Sequence, residues 1–450
     1  MLIQTNGADD VYEGSQILDF DAVVIGGGIA GIEAALDLAD QGFKILMVER
    51  DYSIGGKMIA LSKVFPTLDC SSCITTPKMS AVAHHDNITV FSYTEVKSLQ
   101  NKDVGVEAVL VRKPRYVVEE DCTGCMLCEY ACPVDVPHEF EGYLGARKAI
   151  SVPFANAIPQ IAVLNLDECI LCGACEKACP TGAIDFLQEP VEVTVNAGAA
   201  IIATGYSMVE VEPKKEYGSG KLKNVLSALT MERLLAPHGP YGRVLRPSDG
   251  RIPDNIAYIQ CAGSRDKTWG VPYCSRVCCM YTIKQTMLLS GALPLADITS
   301  YYMDIRAFGK GYEQFYQNAK AMGIQFIKGK VAKITEDEDH NPIIRVEMLE
   351  DDGSVVEQKY DLVILSLGMQ PGWIPEGIIP VKIDDENYIE SVEPKIAPGL
   401  TSMDGVYVCG AAAGPKDIVD SIVEAGAAAM KASMHLKKLG YPRVPVASAT

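Results

Sequence analysis

The chain has 450 residues, 48% hydrophobic and 22% charged, with a formal net charge of −18 and a pI near 4.8. That acidity excludes nucleic acid as a partner, since phosphates call for clustered Lys and Arg, and the length suits about three domains. No apolar run reaches the ~18 residues of a spanning helix.

The opening MLIQTNGADD has no basic stretch followed by an apolar one, so no signal peptide is expected. The first regular element is the apolar run DAVVI, ending at Gly26. A helical pattern follows from Ile29 to Asp40 with Gly42 as its stop, and FKILMVE forms the next strand, ending in Glu49. This is a βαβ unit. Gly26, Gly28 and Gly31 fit G-x-G-x-x-G: a tight turn, room for a pyrophosphate against the backbone, and close helix packing. The helix N-terminus would face the phosphates. Glu49, 18 residues past Gly31, is placed to accept hydrogen bonds from ribose hydroxyls. A glycine fingerprint alone is weak, but here strand, helix and acid all stand at the right distances. Gly55, Gly56 and Lys57 match the second glycine pair common in flavoproteins, and Thr204, Gly205, Gly410 and Ala411 match two later elements, which favours FAD over NAD.

Cys70 and Cys73 form CSSC. They are candidates for a redox disulfide near the flavin, for ligands of a cluster completed elsewhere, or for structural thiols. From about 116 to 186 the α/β rhythm breaks into a segment with eight cysteines, read as an insertion. Cys122, Cys125, Cys128 and Cys132 precede Pro133, and Cys169, Cys172, Cys175 and Cys179 precede Pro180. Each set is C-x2-C-x2-C-x3-C-P, the bacterial two-cluster ferredoxin signature, in which the fourth cysteine of a run crosses to the other cluster. One [4Fe–4S] cluster is thus assigned Cys122, Cys125, Cys128 and Cys179, the other Cys169, Cys172, Cys175 and Cys132. Zinc needs four ligands, not a doubled run.

At NAGAAIIATG the α/β pattern resumes, and IAYIQCAG, a helix near 277–290 and LADITSYYMD suggest a second doubly wound domain over 236–359. It holds Cys261, Cys274, Cys278 and Cys279, candidates for a third cluster or for buried thiols. Cys261 stands where a nicotinamide-binding glycine fingerprint would begin, which argues against direct NAD(P)H binding. The segment 357–368 is expected to lead back to the first domain. Where thioredoxin reductase-type flavoproteins usually carry Gly-Asp, this chain has Gly410-Ala411; Lys416 and Asp417 are candidates for polar contacts near the isoalloxazine, Lys416 with a catalytic role, or simply a helix start and its cap. Cys409 reads as a buried strand thiol. The expected organisation is FAD domain over 1–115, 187–235 and 360–450, ferredoxin insert over 116–186 and a cluster-bearing, NAD-domain-like region over 236–359.

Taken together, VVIGGGIAGIEAALDLAD, FPTLDCSSCITTPK, the doubled ferredoxin runs, CAGSRDKTWGVPYCSRVCCMYTIK and AAAGPKDIVDSIVEAGAAA closely resemble the A-type subunits of the heterodisulfide reductase family over nearly the whole chain. The resemblance implies an α/β, thioredoxin reductase-like pair of doubly wound domains with an inserted two-cluster ferredoxin domain. It implies a [4Fe–4S] cluster on the C-x12-C-x3-C-C group, and a shortened variant without the family's N-terminal cluster domain and C-terminal ferredoxin domain. The implied function is an oxidoreductase component that splits electron pairs at FAD, through flavin-based bifurcation in this family. The implied partners are B- and C-like subunits and ferredoxin or another low-potential carrier, in a dimer of multi-subunit complexes in the cytoplasm. The alternatives are a non-catalytic wiring module and a stand-alone NAD(P)H-dependent disulfide reductase.

Overall fold

The computed structural model describes residues 17–210, 214–350 and 352–441. The N-terminal stretch read above as lacking a signal peptide lies outside them.

Strand β1 (Ile17–Ile25) turns into helix α1 (Ile29–Ala39), and the chain returns through β2 (Ile45–Val48), parallel to β1 with Ala22 opposite Ile45. Residues 22–25 of β1 and all of β2 are continuous apolar runs because helices and loops cover both faces. Helix α2 (Ser71–Ala83) leads to β3 (Ile88–Phe91), and β4 (Thr94–Asn101) and β5 (Val106–Arg112) form an antiparallel pair. An insert follows, with two five-residue helices, α3 (Leu127–Ala131) and α4 (Ala174–Ala178), over a small core of Val117, Ile150, Leu164 and Ile184. The long β6 (Val191–Ile202) then enters the first sheet beside β1, giving the order β3-β2-β1-β6-β5-β4.

The second sheet is built from β7 (Val225–Ser227), α5 (Ala228–Leu235), β8 (Asn255–Ala262), α6 (Cys278–Ala292), β9 (Asp297–Tyr302), α7 (Tyr312–Ala321), β10 (Gln325–Glu336), β11 (Pro342–Met348), β12 (Val355–Lys359) and β13 (Leu362–Leu367). Its order is β7-β13-β8-β9-β10-β11-β12. This differs from the expected span of 236–359. β7 and α5 lie before it, and β13, expected to lead back to the first domain, pairs with β8 inside the second sheet. β7 is three residues, too short to show a period, and a fully buried strand such as β13 reads alike in either sheet.

The chain rejoins the first sheet at β14 (Val406–Val408), parallel to β6, and ends in α8 (Ile418–Lys438), capped by Asp417 as the sequence suggests. Ala425, Ala428, Ala429 and Ala432 of α8 are buried in the core shared with α1, small enough for close helix approach. A buried polar knot joins the two domains: Glu232 of α5 accepts from Ser62 N–H (3.0 Å) and Oγ–H (2.7 Å), while Lys284 of α6 pairs with Glu232 and donates to Lys63 O (2.8 Å). Removing one partner of such a pair typically costs about 3–5 kcal/mol, so the knot fixes how the domains meet.

Candidate functional site

Each glycine of the βαβ turn has its own steric reason. At Gly26, with φ +109°, a Cβ would lie 2.4 Å from Ala203 O; at Gly31 it would lie 1.8 Å from Gly26 O. Gly27, outside the fingerprint, is equally constrained: its Cβ would meet Ile54 Cγ2 at 2.7 Å and Glu49 Oε2 at 3.1 Å. At Gly28 the nearest atom is Gly56 Cα at 3.9 Å, so bare backbone faces open space. Gly55 (φ +118°) and Gly56 (φ +56°) complete the turn below.

These turns border a cleft of about 990 Å³, the size of a cofactor site. Of the sequence candidates, Gly26, Gly28, Glu49, Gly56, Lys57, Thr204, Gly205, Ala411, Lys416 and Asp417 line it. Gly31, Gly55 and Gly410 do not. They sit behind the wall: Gly31 lets α1 close on the turn, and a Cβ at Gly410 would meet Ala30 Cβ at 2.7 Å. Glu49 is buried at the end of β2, where its Oε2 accepts from Gly27 N–H (2.7 Å) and its Oε1 from Asp51 N–H (2.9 Å). Burial raises its carboxyl to about 7, with Asp51 adding to the shift. Thr204 Oγ1 and His138 Nδ1 are buried without a hydrogen-bond partner in the cleft wall. Open backbone at Gly28, a ribose-accepting acid and unsatisfied polar atoms fit an adenine dinucleotide flavin.

Lys416 is buried with its ammonium paired to Glu424. Asp417 takes the cap role, accepting from Asp420 N–H (2.9 Å), and also accepts from Tyr312 O–H (2.8 Å).

The wall also contains residues that motif reading missed. His138, Phe140, Arg147 and Phe154 come from the insert, and Arg233, Tyr281, Lys284 and Gln285 from α5 and α6. Phe140 stacks on Phe154 at 4.8 Å between ring centroids, with the Arg233 guanidinium over Phe140 at 4.5 Å. Ser53 Oγ–H donates to Ile158 O (3.0 Å) and Ile158 N–H to Ser53 Oγ (2.8 Å), stitching the insert to the dinucleotide turn.

Within the insert, the two cysteine runs fold alike. Met126 (φ +60°) and Gly173 (φ +68°) start α3 and α4, and Cys132 and Cys179 end them. Cys128 is buried beside Cys122 and Cys125, and Cys175 is buried beside Cys169 and Cys132. The fourth thiol of the first run thus sits with the second run. Burial pushes the Cys128 thiol up to about 12, so that donor ionises only when a cation takes the proton's place. Among the described residues no three His, Cys, Asp or Glu side chains are close enough to grip a single ion; a cubane takes its thiolates at separate corners.

The second domain gathers the other group. Cys261 lies in an irregularity of β8, between Ile259 and Ala262, with φ +56°, a left-handed conformation uncommon for any residue but glycine. Cys274 lies in the following loop, and Cys278 and Cys279 open α6. All four feel one another electrostatically, and burial pushes Cys279 up to about 12 and Cys278 higher still. Val277 and Tyr281, on either side of this pair, line the flavin-sized cleft.

Cys70 and Cys73 do not line the cleft. Cys70 caps α2, its Sγ accepting Cys73 N–H at 3.3 Å, and Cys73 is exposed. A hydrogen bond from the Cys73 thiol lowers Cys70 and raises Cys73. Lys63, bridged to Cys70, does line the cleft. Cys409 is buried, as read from the sequence.

Flavin retention is expected to depend on pH through Glu49. Ribose hydroxyls need the ionised carboxylate as acceptor, and the carboxyl takes up a proton below about 7. FAD affinity for the flavin-free protein should therefore fall as pH drops from about 8 to about 5, by up to about tenfold per unit once the acid form dominates. Fluorescence titration with FAD measures this, and Glu49→Gln should bind weakly with a flat profile.

Comparison with known proteins agrees with this geometry. Residues 21–70 match the FAD dependent oxidoreductase family, and residues 115–138 and 162–185 match the 4Fe-4S binding domain. The chain is 44% identical, over 96% of its length, to the A-type subunit of the H(2):CoB-CoM heterodisulfide,ferredoxin reductase of Methanothermobacter marburgensis. It is 43% identical, over 98% of its length, to one of the A-type iron-sulfur subunits of the CoB--CoM heterodisulfide reductase of Methanopyrus kandleri. The chain spans 66% of the first of these relatives and 68% of the second. In fold it is similar to T. acidophilum thioredoxin reductase, with a TM-score of 0.53 at 15% identity, over 92% of this chain and 98% of that one.

Proposed function

Because this chain belongs to the A-type subunits of the heterodisulfide reductase family of oxidoreductases, we propose that it is the flavin-bearing electron-transfer component of a heterodisulfide reductase-like complex in the cytoplasm. One observation carries this reading. Helix α6 begins with the thiols Cys278 and Cys279, and its next turn, through Tyr281, Lys284 and Gln285, is a wall of the cleft.

Bound FAD would supply exchange between paired and single electrons. The chain's own part is placement. The turn at Gly26–Gly28 and the α1 N-terminus receive the diphosphate, Glu49 accepts the ribose hydroxyls, and Thr204 and His138 offer unsatisfied polar atoms to the remaining length. Lys416 keeps an ammonium at the cleft wall, held there by Glu424. Two clusters are assigned to the insert cysteines Cys122, Cys125, Cys128 and Cys179, and Cys169, Cys172, Cys175 and Cys132. A third is assigned to Cys261, Cys274, Cys278 and Cys279. Cys70 and Cys73, hydrogen-bonded at the start of α2, are assigned to thiol–disulfide exchange outside the cleft.

The M. marburgensis relative is named for hydrogen, a CoB-CoM heterodisulfide and ferredoxin. Carried to this chain, that name supports electrons parting at the cleft, one toward a low-potential carrier of the ferredoxin class and one toward a disulfide on B- and C-like subunits. The complex is proposed to be a dimer. Direct reduction by NAD(P)H is disfavoured because Cys261 occupies the start of the nucleotide fingerprint.

Anaerobic coulometric reduction of the cofactor-loaded chain tests the electron count. Uptake of about five electrons per chain is expected, two at the flavin and one at each of three cubanes. Uptake of only two would reduce the protein to a simple flavoprotein, and bleaching of the flavin by NADPH alone would replace this reading with a stand-alone reductase.

A further inference from the structure

We propose that Tyr281 donates a hydrogen bond to the sulfur of Cys278, and that this bond raises the reduction potential of the cluster assigned to the second domain. Tyr281 is then a positioning residue, acting through Cys278. The proposal rests on the assignment of Cys261, Cys274, Cys278 and Cys279 to a cluster, and deepens it by naming what makes that cluster attractive to single electrons.

The argument starts from spacing. Cys278 and Tyr281 stand three residues apart in the first turn of α6, so their side chains are neighbours on one face. Tyr281 lines the cleft, whereas Cys278 is buried and does not. One side chain therefore reaches from the flavin-sized cleft to the cysteine group.

Both side chains end on a single acceptor. The Tyr281 hydroxyl donates to Leu367 O at 2.8 Å, and the Cys278 thiol donates to the same oxygen at 3.5 Å. The hydroxyl and the sulfur also lie within hydrogen-bonding reach of each other. Leu367 ends β13, and the residues after it are tied down. Gly368 N–H donates to Ala262 O (3.0 Å) and Met369 N–H to Ser275 Oγ (2.8 Å). The shared carbonyl is thus held in place.

Iron changes the number of protons at this point. A cluster binds thiolate, so Cys278 stops donating and becomes an acceptor. Two acceptors, Leu367 O and the thiolate, then face one O–H. A hydrogen bond to an ionised group is roughly twice as strong as a neutral one, which draws the hydroxyl toward the sulfur. When the cluster takes one electron from the flavin, its sulfurs gain negative charge and the bond strengthens further. The proton stays on the Tyr281 oxygen throughout. A bond that favours the reduced form raises the potential, as hydrogen bonds to cluster sulfurs do in general.

Potentiometric EPR of the anaerobic, cofactor-loaded chain is the test. Three proteins are compared: wild type, Tyr281→Phe, and a chain with 3-fluorotyrosine in place of Tyr281. The signal followed is the one that Cys278→Ser abolishes. Tyr281→Phe keeps the ring and deletes the donor. Reduction of this cluster should become about tenfold less favourable, a downward shift of about 59 mV for one electron. The fluorinated ring keeps the hydroxyl and makes it a stronger donor, so its midpoint should move upward. A residue that served only in packing would not reverse the sign between the two. The fluorinated chain retains every hydrogen bond of the wild type, so it decides the matter alone should Tyr281→Phe fail to fold. Midpoints that stay put, or that move the same way in both, would overturn the proposal. Iron counted in the same samples separates this from a failure of the cluster assignment. About twelve irons per chain with unmoved midpoints removes the role of Tyr281 alone. About eight irons, with no signal sensitive to Cys278→Ser, removes the cluster and the proposal with it.

Discussion

Gly31→Ala should yield a chain that retains no flavin. The new methyl would sit 1.8 Å from the carbonyl oxygen of Gly26, and that obstacle is backbone, which cannot rotate away. Overpacking a core typically costs about 1–3 kcal/mol where side chains can yield, and here the cost should exceed that range because α1 must lift from the turn that receives the diphosphate. Gly28→Ala gives the informative contrast. Its nearest neighbour is 3.9 Å away, so the fold should be unperturbed, while the methyl projects where bare backbone is needed. The expected result is normal thermal stability with weakened FAD binding for Gly28→Ala, and losses in both for Gly31→Ala. Differential scanning fluorimetry together with flavin quantification separates them. If Gly31→Ala held its flavin at wild-type stability, the close-packing role assigned to that glycine would be wrong.

Cys278→Ser should remove one cubane and leave the other two. Anaerobic analysis of wild type should give about twelve irons per flavin and the variant about eight, four for each remaining cluster. A serine hydroxyl is a hard, poorly ionised donor and cannot replace a thiolate on iron. Cys278 is buried at the start of α6 with its Sγ–H directed to Leu367 O at 3.5 Å, so the exchange of sulfur for oxygen fits sterically and the fold should survive. EPR of the reduced proteins should lose one signal while those of the insert persist. Equal iron in the two proteins would show that these four cysteines are core thiols.

What could be read from the residues alone depended on how local each constraint is. The turn at Gly26, Gly28 and Gly31, the acid at Glu49 and the paired cysteine runs are demands that a short stretch of backbone makes on itself, so they are visible as spacing. Gly27 was missed because its constraint comes from Ile54 and Glu49, folded back over it. The contributions of His138, Phe140 and Arg233 to the cleft were invisible because they arise from contacts such as Ser53 with Ile158, 105 residues apart. The second domain's edges were misjudged for a similar reason: β7 and β13 acquire their identity only by pairing. Cys70 and Cys73 were recognisable as a pair, but not their position outside the cleft, because the placement of α2 is set by tertiary contacts and not by the spacing of the pair.

That the insert walls the cleft bears on how the protein is made. Its regular structure is two helices of five residues and strands of two or three, too little to fold firmly without metal to organise it. A newly synthesised chain waiting for iron therefore has one side of its flavin compartment unbuilt. Iron and inorganic sulfide are therefore expected to enter before the vitamin-derived cofactor, and growth in iron-poor medium should lower the yellow colour of the purified chain along with the brown.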